Sequence, residues 1–213
     1  MARSARKQPR RDALLAAAVE VVGERGVAGT THRAVTERAE VPLATASYYF
    51  SSIDELIAEA LTAFVRQRAE EIGLPDESAG GMAPARVAEW YAEQVMGLDK
   101  VKRLAFYEVL LNAARTPELA EAARNALSSY EDWAVSGLTA AGASRGGARA
   151  FVALGLGFGL LHLVDQRDSD TEELFVALRD LFIGSVLDPE EHAAWTARLD
   201  GGDQGRNETD SLL

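Results

Sequence analysis

The chain has 213 residues, 47% of them hydrophobic, no cysteine, and a formal net charge of −11. That is enough apolar material for a buried core, in one large domain or in a small domain joined to a larger one. The missing cysteine excludes disulfides, thiolate metal sites and a cysteine nucleophile. The charge is unevenly spread: residues 1–50 carry eight Lys/Arg against five Asp/Glu, and residues 51–213 carry fourteen against twenty-eight. A basic end on an acidic body suggests that only the end meets a polyanion.

The start, MARSARKQPRRD, is basic, and no signal-type apolar region follows it, so a soluble, cytoplasmic protein is expected. Over Arg11–Glu24 the residues Leu14, Ala18, Val21 and Val22 share one helical face, and Gly23 and Gly26 bracket the helix end. Thr30 or Thr31 can cap a helix over His32–Ala39. Pro42 suits the first turn of a short third helix, VPLATASYYF at 41–50, because it has no N–H to lose there. Ser51 or Ser52 then caps a long helix to about residue 72, with Asp54 and Glu55 in its first turn. LPDESAGGMA at 74–83 is the clearest break. Beyond it, helical periodicity covers Pro84–Met96, Lys100–Arg115, Pro117–Ala141, Gly147–Val164 and Thr171–Leu187. A weaker helix is expected over Glu190–Leu199, and a disordered tail over 200–213. The apolar stretch FVALGLGFGLLHLV at 151–164 is 14 residues long, short of the roughly 20 that a bilayer span needs.

Two short helices joined by a tight turn, with a further helix packed across them, form a helix-turn-helix, whose second short helix enters the major groove of DNA. That helix must be slim and non-acidic at its start, as Leu43, Ala44, Thr45 and Ser47 are. Tyr48 and Tyr49 carry hydroxyls that can donate to phosphate oxygens. Val41, Ala46 and Phe50 are expected to face inward.

The run RRDALLAAAVEVVGERGVAGTTHRAVTERAEVPLATASYYFSSIDELIAEAL resembles the N-terminal domain of the tetracycline-repressor (TetR) family. The resemblance rests on Gly26, Thr30–Thr31, His32–Ala39, Val41–Pro42, Tyr49–Phe50 and Ser52–Leu56. It departs at Glu40, where the turn usually has Gly, so that this residue's φ is either negative or strained. Ala46–Ser47 replace a usual Leu-Tyr pair, and Ile53 stands where a phosphate-contacting Lys is common. The resemblance implies that Thr31 and His32 hold phosphates and that Arg33 takes a phosphate or a guanine edge. It implies that Pro42, Leu43, Ala44, Thr45 and Ser47 lie at the groove, and that Tyr48 and Tyr49 clamp the backbone. Arg3, Arg6, Lys7, Arg10 and Arg11 form an arm that adds salt-dependent affinity.

The expected fold class is therefore all-α. A three-helix helix-turn-helix domain with its basic arm covers 1–52, and a larger helical ligand-binding and dimerisation domain covers 53–199. The segment 151–164 is apolar all round, so both its faces need covering. The face Val152, Gly155, Leu156, Gly159 and Leu163, with Leu174, Leu178 and Leu181 of the next helix, is expected to form a homodimer interface. A symmetric dimer reads two half-sites of a double-stranded DNA operator. The remaining helices are expected to enclose an effector pocket for a small apolar or aromatic molecule. Its candidate lining is Trp90, Tyr91, Met96, Phe106, Tyr107, Tyr130, Trp133 and Phe158, with Asn112 and His162 as polar groups; Glu108 either joins them or pairs with Arg103 or Arg115.

No catalytic residue, metal site or cofactor is expected. His32, His162 and His192 lie far apart, and neither a strand-borne phosphate loop nor a nucleophile elbow is present. The alternatives are a helical ligand-binding or adaptor protein without sequence-specific DNA binding, or a helical enzyme with a carboxylate site. The adaptor does not explain a basic arm beside a recognition-type helix, and the paired carboxylates Glu70–Glu71 and Glu172–Glu173 read as solvated faces.

Overall fold

The computed structural model describes residues 7–72, 83–140 and 145–186. Among the described residues all regular structure is helical: α1 Lys7–Arg25, α2 His32–Arg38, α3 Leu43–Tyr49, α4 Ile53–Ile72, α5 Pro84–Met96, α6 Lys100–Ala113, α7 Pro117–Ala140, α8 Ala148–Val164 and α9 Asp170–Val186, with a 3-10 turn at Arg145–Gly147. The expected helix over Glu190–Leu199, the tail 200–213, Arg3 and Arg6 lie outside the described residues.

The helix starts follow from local chemistry. The Thr31 hydroxyl accepts from the Ala34 amide at 3.1 Å and so caps α2. At α4, Ser52 Oγ accepts from the Glu55 amide at 3.0 Å, while the Glu55 carboxylate reaches back to the amide and hydroxyl of Ser51 at 2.5 and 2.6 Å. This is a capping-box exchange, and the bonds from Ser51 hold the Glu55 carboxyl below its ordinary pKa. Asp99 caps α6 through the amides of Val101 and Lys102, and Pro84 opens α5.

Helices α1–α3 form a tripod. The α1 stripe Leu14, Ala18, Val21 and Val22 is at most 2% exposed, and α3 seats Ala46 and Phe50 against it. Arg38 of α2 donates to Glu20 and Glu24 of α1, closing the outer side. Between α2 and α3 the Val41 amide donates to the Thr36 carbonyl at 3.0 Å. Closing the turn this tightly drives Glu40 to φ 53°. The strained alternative is therefore the one realised: a residue with a Cβ occupies the left-handed region.

Arg11, expected in the DNA arm, is half-buried instead. It pairs with Glu59 of α4 and lies 5.5 Å from the Phe50 ring centroid, stapling α1 to α4. Helix α1 also packs along α6, so closely that a Cβ at Gly23 would run into the Val101 carbonyl. One apolar core runs from Leu14 and Val35 through Leu56 and Phe64 to Phe106 and Val109. A second fills the space among α5, α7, α8 and α9, around Tyr91, Phe151, Leu174 and Phe182.

Glu40→Gly removes the steric cost of the left-handed turn. It is expected to raise unfolding stability by about 1 kcal/mol or somewhat less, the added chain entropy of glycine offsetting part of the gain. Urea denaturation of the two proteins side by side measures this.

Candidate functional site: reading head and cavity

On the outer face of α3, Leu43 is 49% and Tyr48 65% exposed. Pro42, Ala44 and Ser47 are exposed beside them, and Thr45 and Tyr49 are half-buried. Tyr49 packs against the core, edge-on to Tyr48 with ring centroids 5.0 Å apart. Thr31 and Arg33 are exposed at the start of α2. His32 beside them is half-buried, and its Nε2 has no hydrogen-bond partner among the described residues. Of the ten residues singled out in the sequence, seven are thus exposed and three half-buried, those on α3 uncharged and those at the start of α2 polar.

In the body, α4, α5, α6, α7 and α8 enclose a cavity of about 80 Å³. Tyr91, Phe106, Tyr107, Tyr130 and Trp133 line it, as expected; Arg68 and Arg103 join them. The other candidates lie elsewhere, Met96 against the second core. Trp90 stacks on the far side of Trp133 at 4.8 Å. Phe158 packs on the edge of the second core. His162 Nδ1 is 2.5 Å from Asp170 Oδ2 and ties α8 to the start of α9; this bond, more than any other cause, lowers the Asp170 pKa. Asn112 donates to the carbonyl and carboxylate of Glu108.

Glu108 pairs with neither Arg103 nor Arg115. Its carboxylate accepts from the amide of Val27, in the turn after α1, at 3.3 Å. Helix α6 therefore presents Arg103, Phe106 and Tyr107 to the cavity, and Val101 and Glu108 to the reading head.

Arg103 is 3% exposed. Its Nη2 donates to the carbonyls of Val95, Met96 and Leu98 at 2.9, 2.8 and 3.1 Å, satisfying the otherwise orphaned end of α5. Arg68 adds a bond to Gln94 O at 2.9 Å. Burial pushes the Tyr107 and Tyr130 phenols up to about 12, so both are neutral donors at ordinary pH.

The dimer face read from the sequence requires correction. Val152, Leu174 and Leu178 are buried in the protomer's own core, and Leu156 lines the cavity. Leu163 and Leu181 are half-buried. Gly155 and Gly159 do admit a close neighbour, but it belongs to the same chain. A Cβ at Gly155 would lie 2.9 Å from Tyr91, and one at Gly159 would lie 2.7 Å from the Tyr107 hydroxyl, which donates to Leu156 O. The uncovered apolar face is the opposite one. Leu160, Leu161 and Val164 of α8 are 49%, 62% and 84% exposed, and Ile183 of α9 is 53% exposed.

Comparison with known proteins agrees with this architecture. The family described as "Bacterial regulatory proteins, tetR family" matches residues 14–60, and the "Tetracyclin repressor-like, C-terminal domain" matches residues 82–198, more than half of the chain. The chain belongs to the TetR family. It is a DNA-binding, ligand-responsive transcriptional regulator. It is similar to the nicotine-responsive transcriptional repressor HdnoR of Paenarthrobacter nicotinovorans, with 28% identity over 186 residues, covering 83% of this chain and 95% of that protein. Among solved structures, the multidrug binding protein EbrR complexed with proflavin is 29% identical with a TM-score of 0.60, covering 81% of this chain and 99% of its own. A TetR-family member from Streptomyces coelicolor A3 is 28% identical with a TM-score of 0.63, covering 81% and 97%.

The two faces of α8 make contrasting demands. Gly155→Ala forces Tyr91 against Trp133 and Phe151, which flank it at 4.8 and 4.9 Å, and is expected to cost about 1–3 kcal/mol. Gly157→Ala meets nothing within 4 Å and is expected to be neutral or to gain up to about 1 kcal/mol from helix propensity. Urea midpoints of the two variants measure the difference.

Proposed function

We propose that the chain is a homodimeric repressor whose two heads grip a palindromic operator and whose grip is released by a small apolar or aromatic effector. The reading head is residues 1–52, and the effector-binding and dimerising body is residues 53–199. In this reading Pro42, Leu43, Ala44, Thr45 and Ser47 lie at the groove, while Thr31, His32, Arg33, Tyr48 and Tyr49 meet the phosphate backbone. An uncharged, exposed α3 surface with Arg33 exposed at the start of α2 supports it. The protein acts in the cytoplasm, where its DNA is; no helix among the described residues is long and apolar enough to cross a membrane. We assign it no catalytic role and no metal.

The dimer forms through the outward face of α8 and α9, with Leu160, Leu161, Val164 and Ile183 as contacts. A dimer places its heads roughly 34–36 Å apart, or a multiple of that, to enter successive major grooves on one side of the duplex.

The observation that carries the switch is the double role of α6: its cavity residues and its grip on the head are on one rigid element. The coupling extends to α4, whose Val65 and Arg68 also line the cavity. The cavity of about 80 Å³ is well below the roughly 300–1,000 Å³ of occupied ligand sites, so an effector has to spread these helices to enter. Spreading α6 from α5 moves Val101 and Glu108, and the heads lose their spacing. HdnoR responds to nicotine and EbrR holds proflavin; both compounds are compact ring systems, in keeping with an aromatic lining.

Titrating a cavity ligand into the protein with and without operator DNA tests the switch. Reciprocity demands that DNA weaken ligand binding by the factor with which ligand weakens DNA binding; equal ligand affinity in both cases rules the switch out. For the head, Thr45→Ala is expected to change base preference at one or two half-site positions, whereas Tyr48→Phe weakens binding to all sequences alike, as read by anisotropy on operator and random duplexes. For the dimer, Leu161→Glu is expected to give a folded monomer in sedimentation equilibrium, because Leu161 is 62% exposed in the protomer.

A further inference from the structure

The charge of the cavity narrows the effector further; this inference rests on the reading of the cavity as the effector site. Its walls are mostly apolar, but the charged groups among them are of one sign. Arg68 and Arg103 line it, and no Asp or Glu does among the described residues.

Arg103 is the more telling of the two. Carbonyl oxygens satisfy its Nη2, yet they carry no net charge, and a guanidinium that is 3% exposed has surrendered most of its hydration. Its Nη1 is 3.4 Å from Gly159 O, at the outer edge of a hydrogen bond. Asp170 is the carboxylate that acts on its charge, and it is already engaged by His162 and by the Arg167 amide at 3.1 Å. Burial lowers the Arg103 pKa, while Tyr107 and Asp170 oppose this; guanidinium nevertheless remains protonated. The neighbouring phenols cannot supply the missing anion, since burial holds Tyr91, Tyr107 and Tyr130 neutral.

A second observation points the same way. The indole Nε1 of Trp133, another lining residue, is buried with no acceptor among the described residues. A buried donor left unpaired costs stability, which an incoming acceptor recovers. Two guanidiniums and one orphaned N–H give the cavity a surplus of donors and of positive charge over apolar walls.

We propose that the effector is an organic acid: an apolar or aromatic body bearing a single carboxylate or equally acidic oxyanion. Arg103 and Arg68 supply its counter-charge, and Trp133 Nε1 an additional donor. The carboxylate competes with Gly159 O for Nη1, so that its arrival loosens the hold of α6 on α8. A cationic ligand meets like charge here, and a neutral one leaves the buried charge uncompensated.

Three probes of one shape separate these cases: naphthoate, naphthalenemethanol and naphthylmethylammonium, titrated calorimetrically into the full chain. Naphthoate is expected to bind tightest, by about tenfold or more over the alcohol, as a charge-assisted pair in a dry site requires. In Arg68→Gln, whose half-buried side chain can be shortened without opening the core, that preference is expected to shrink severalfold. Trp133→Phe is expected to weaken naphthoate while leaving its lead over the ammonium probe. Equal binding of the three, tightest binding by the alcohol or the ammonium, or binding by none of them overturns the inference. So does a naphthoate preference that is undiminished in Arg68→Gln. Operator anisotropy with each probe is read separately. Release of DNA by a tighter-binding neutral or cationic probe overturns the acid while the switch stands. Tight naphthoate binding without release keeps the acid-binding site and removes the switch.

Discussion

The buried guanidinium of Arg103 is the constraint on which the rest of the body depends. The carbonyls of Val95 and Met96 at the end of α5, and of Leu98 in the loop beyond it, converge on its Nη2, and the same side chain reaches toward α8 at Gly159. The first two belong to a helix end that would otherwise be buried unsatisfied, and the guanidinium has no carboxylate to replace them. Each side of the arrangement thus needs the other, and removing one member of such a buried set costs about 3–5 kcal/mol. The result is that α5, α6 and α8 meet at one point, on the wall of the cavity.

From that point α6 runs to the reading head. Beyond the apolar core they share, two contacts join them on the α6 side away from the cavity. Gly23 lets α1 lie directly on Val101, and Glu108 holds the Val27 amide. Helix α4 offers a parallel connection, through Val65 and Arg68 at the cavity and the Arg11–Glu59 pair at the head. A head held by two helices, both of which line the cavity, cannot stay still when the cavity is forced open. The physical basis for coupling is thus a rigid element that ligand and DNA bias in opposite directions, rather than a chain of neighbouring residues.

The head was almost wholly legible in the sequence, because its helices are short, capped and amphipathic. Thr31, Ser52 and Pro42 mark helix starts for simple hydrogen-bonding reasons, and the stripe through Leu14, Ala18, Val21 and Val22 contrasts with charged neighbours. Glu40 signalled either negative φ or strain, and only coordinates could choose. The body was less legible where contrast vanishes. Helix α8 is apolar on every side, so periodicity cannot tell its inner face from its outer one, and the face chosen for a partner proved to be the protomer's own core. Gly155 and Gly159 were assigned to the partner-facing side, yet what approaches them is Tyr91 and Tyr107 of the same chain. Arg103 was overlooked as a pocket residue because a nearby Glu108 offered an ordinary ion pair. The structure instead sends the two side chains to opposite duties, one to the end of α5 and the other to the turn after α1.

The account's central claim is that α6 carries a change in the cavity to the head. Amide hydrogen exchange at Val27, followed with the cavity empty and with it saturated by an aromatic acid, tests this most directly. The Val27 N–H is held by Glu108 at 3.3 Å, so displacement of α6 is expected to release it and to speed its exchange, while core amides such as that of Val35, bonded to Thr31 O within α2, keep their protection. Saturation of the cavity with no change at Val27 would contradict the claim.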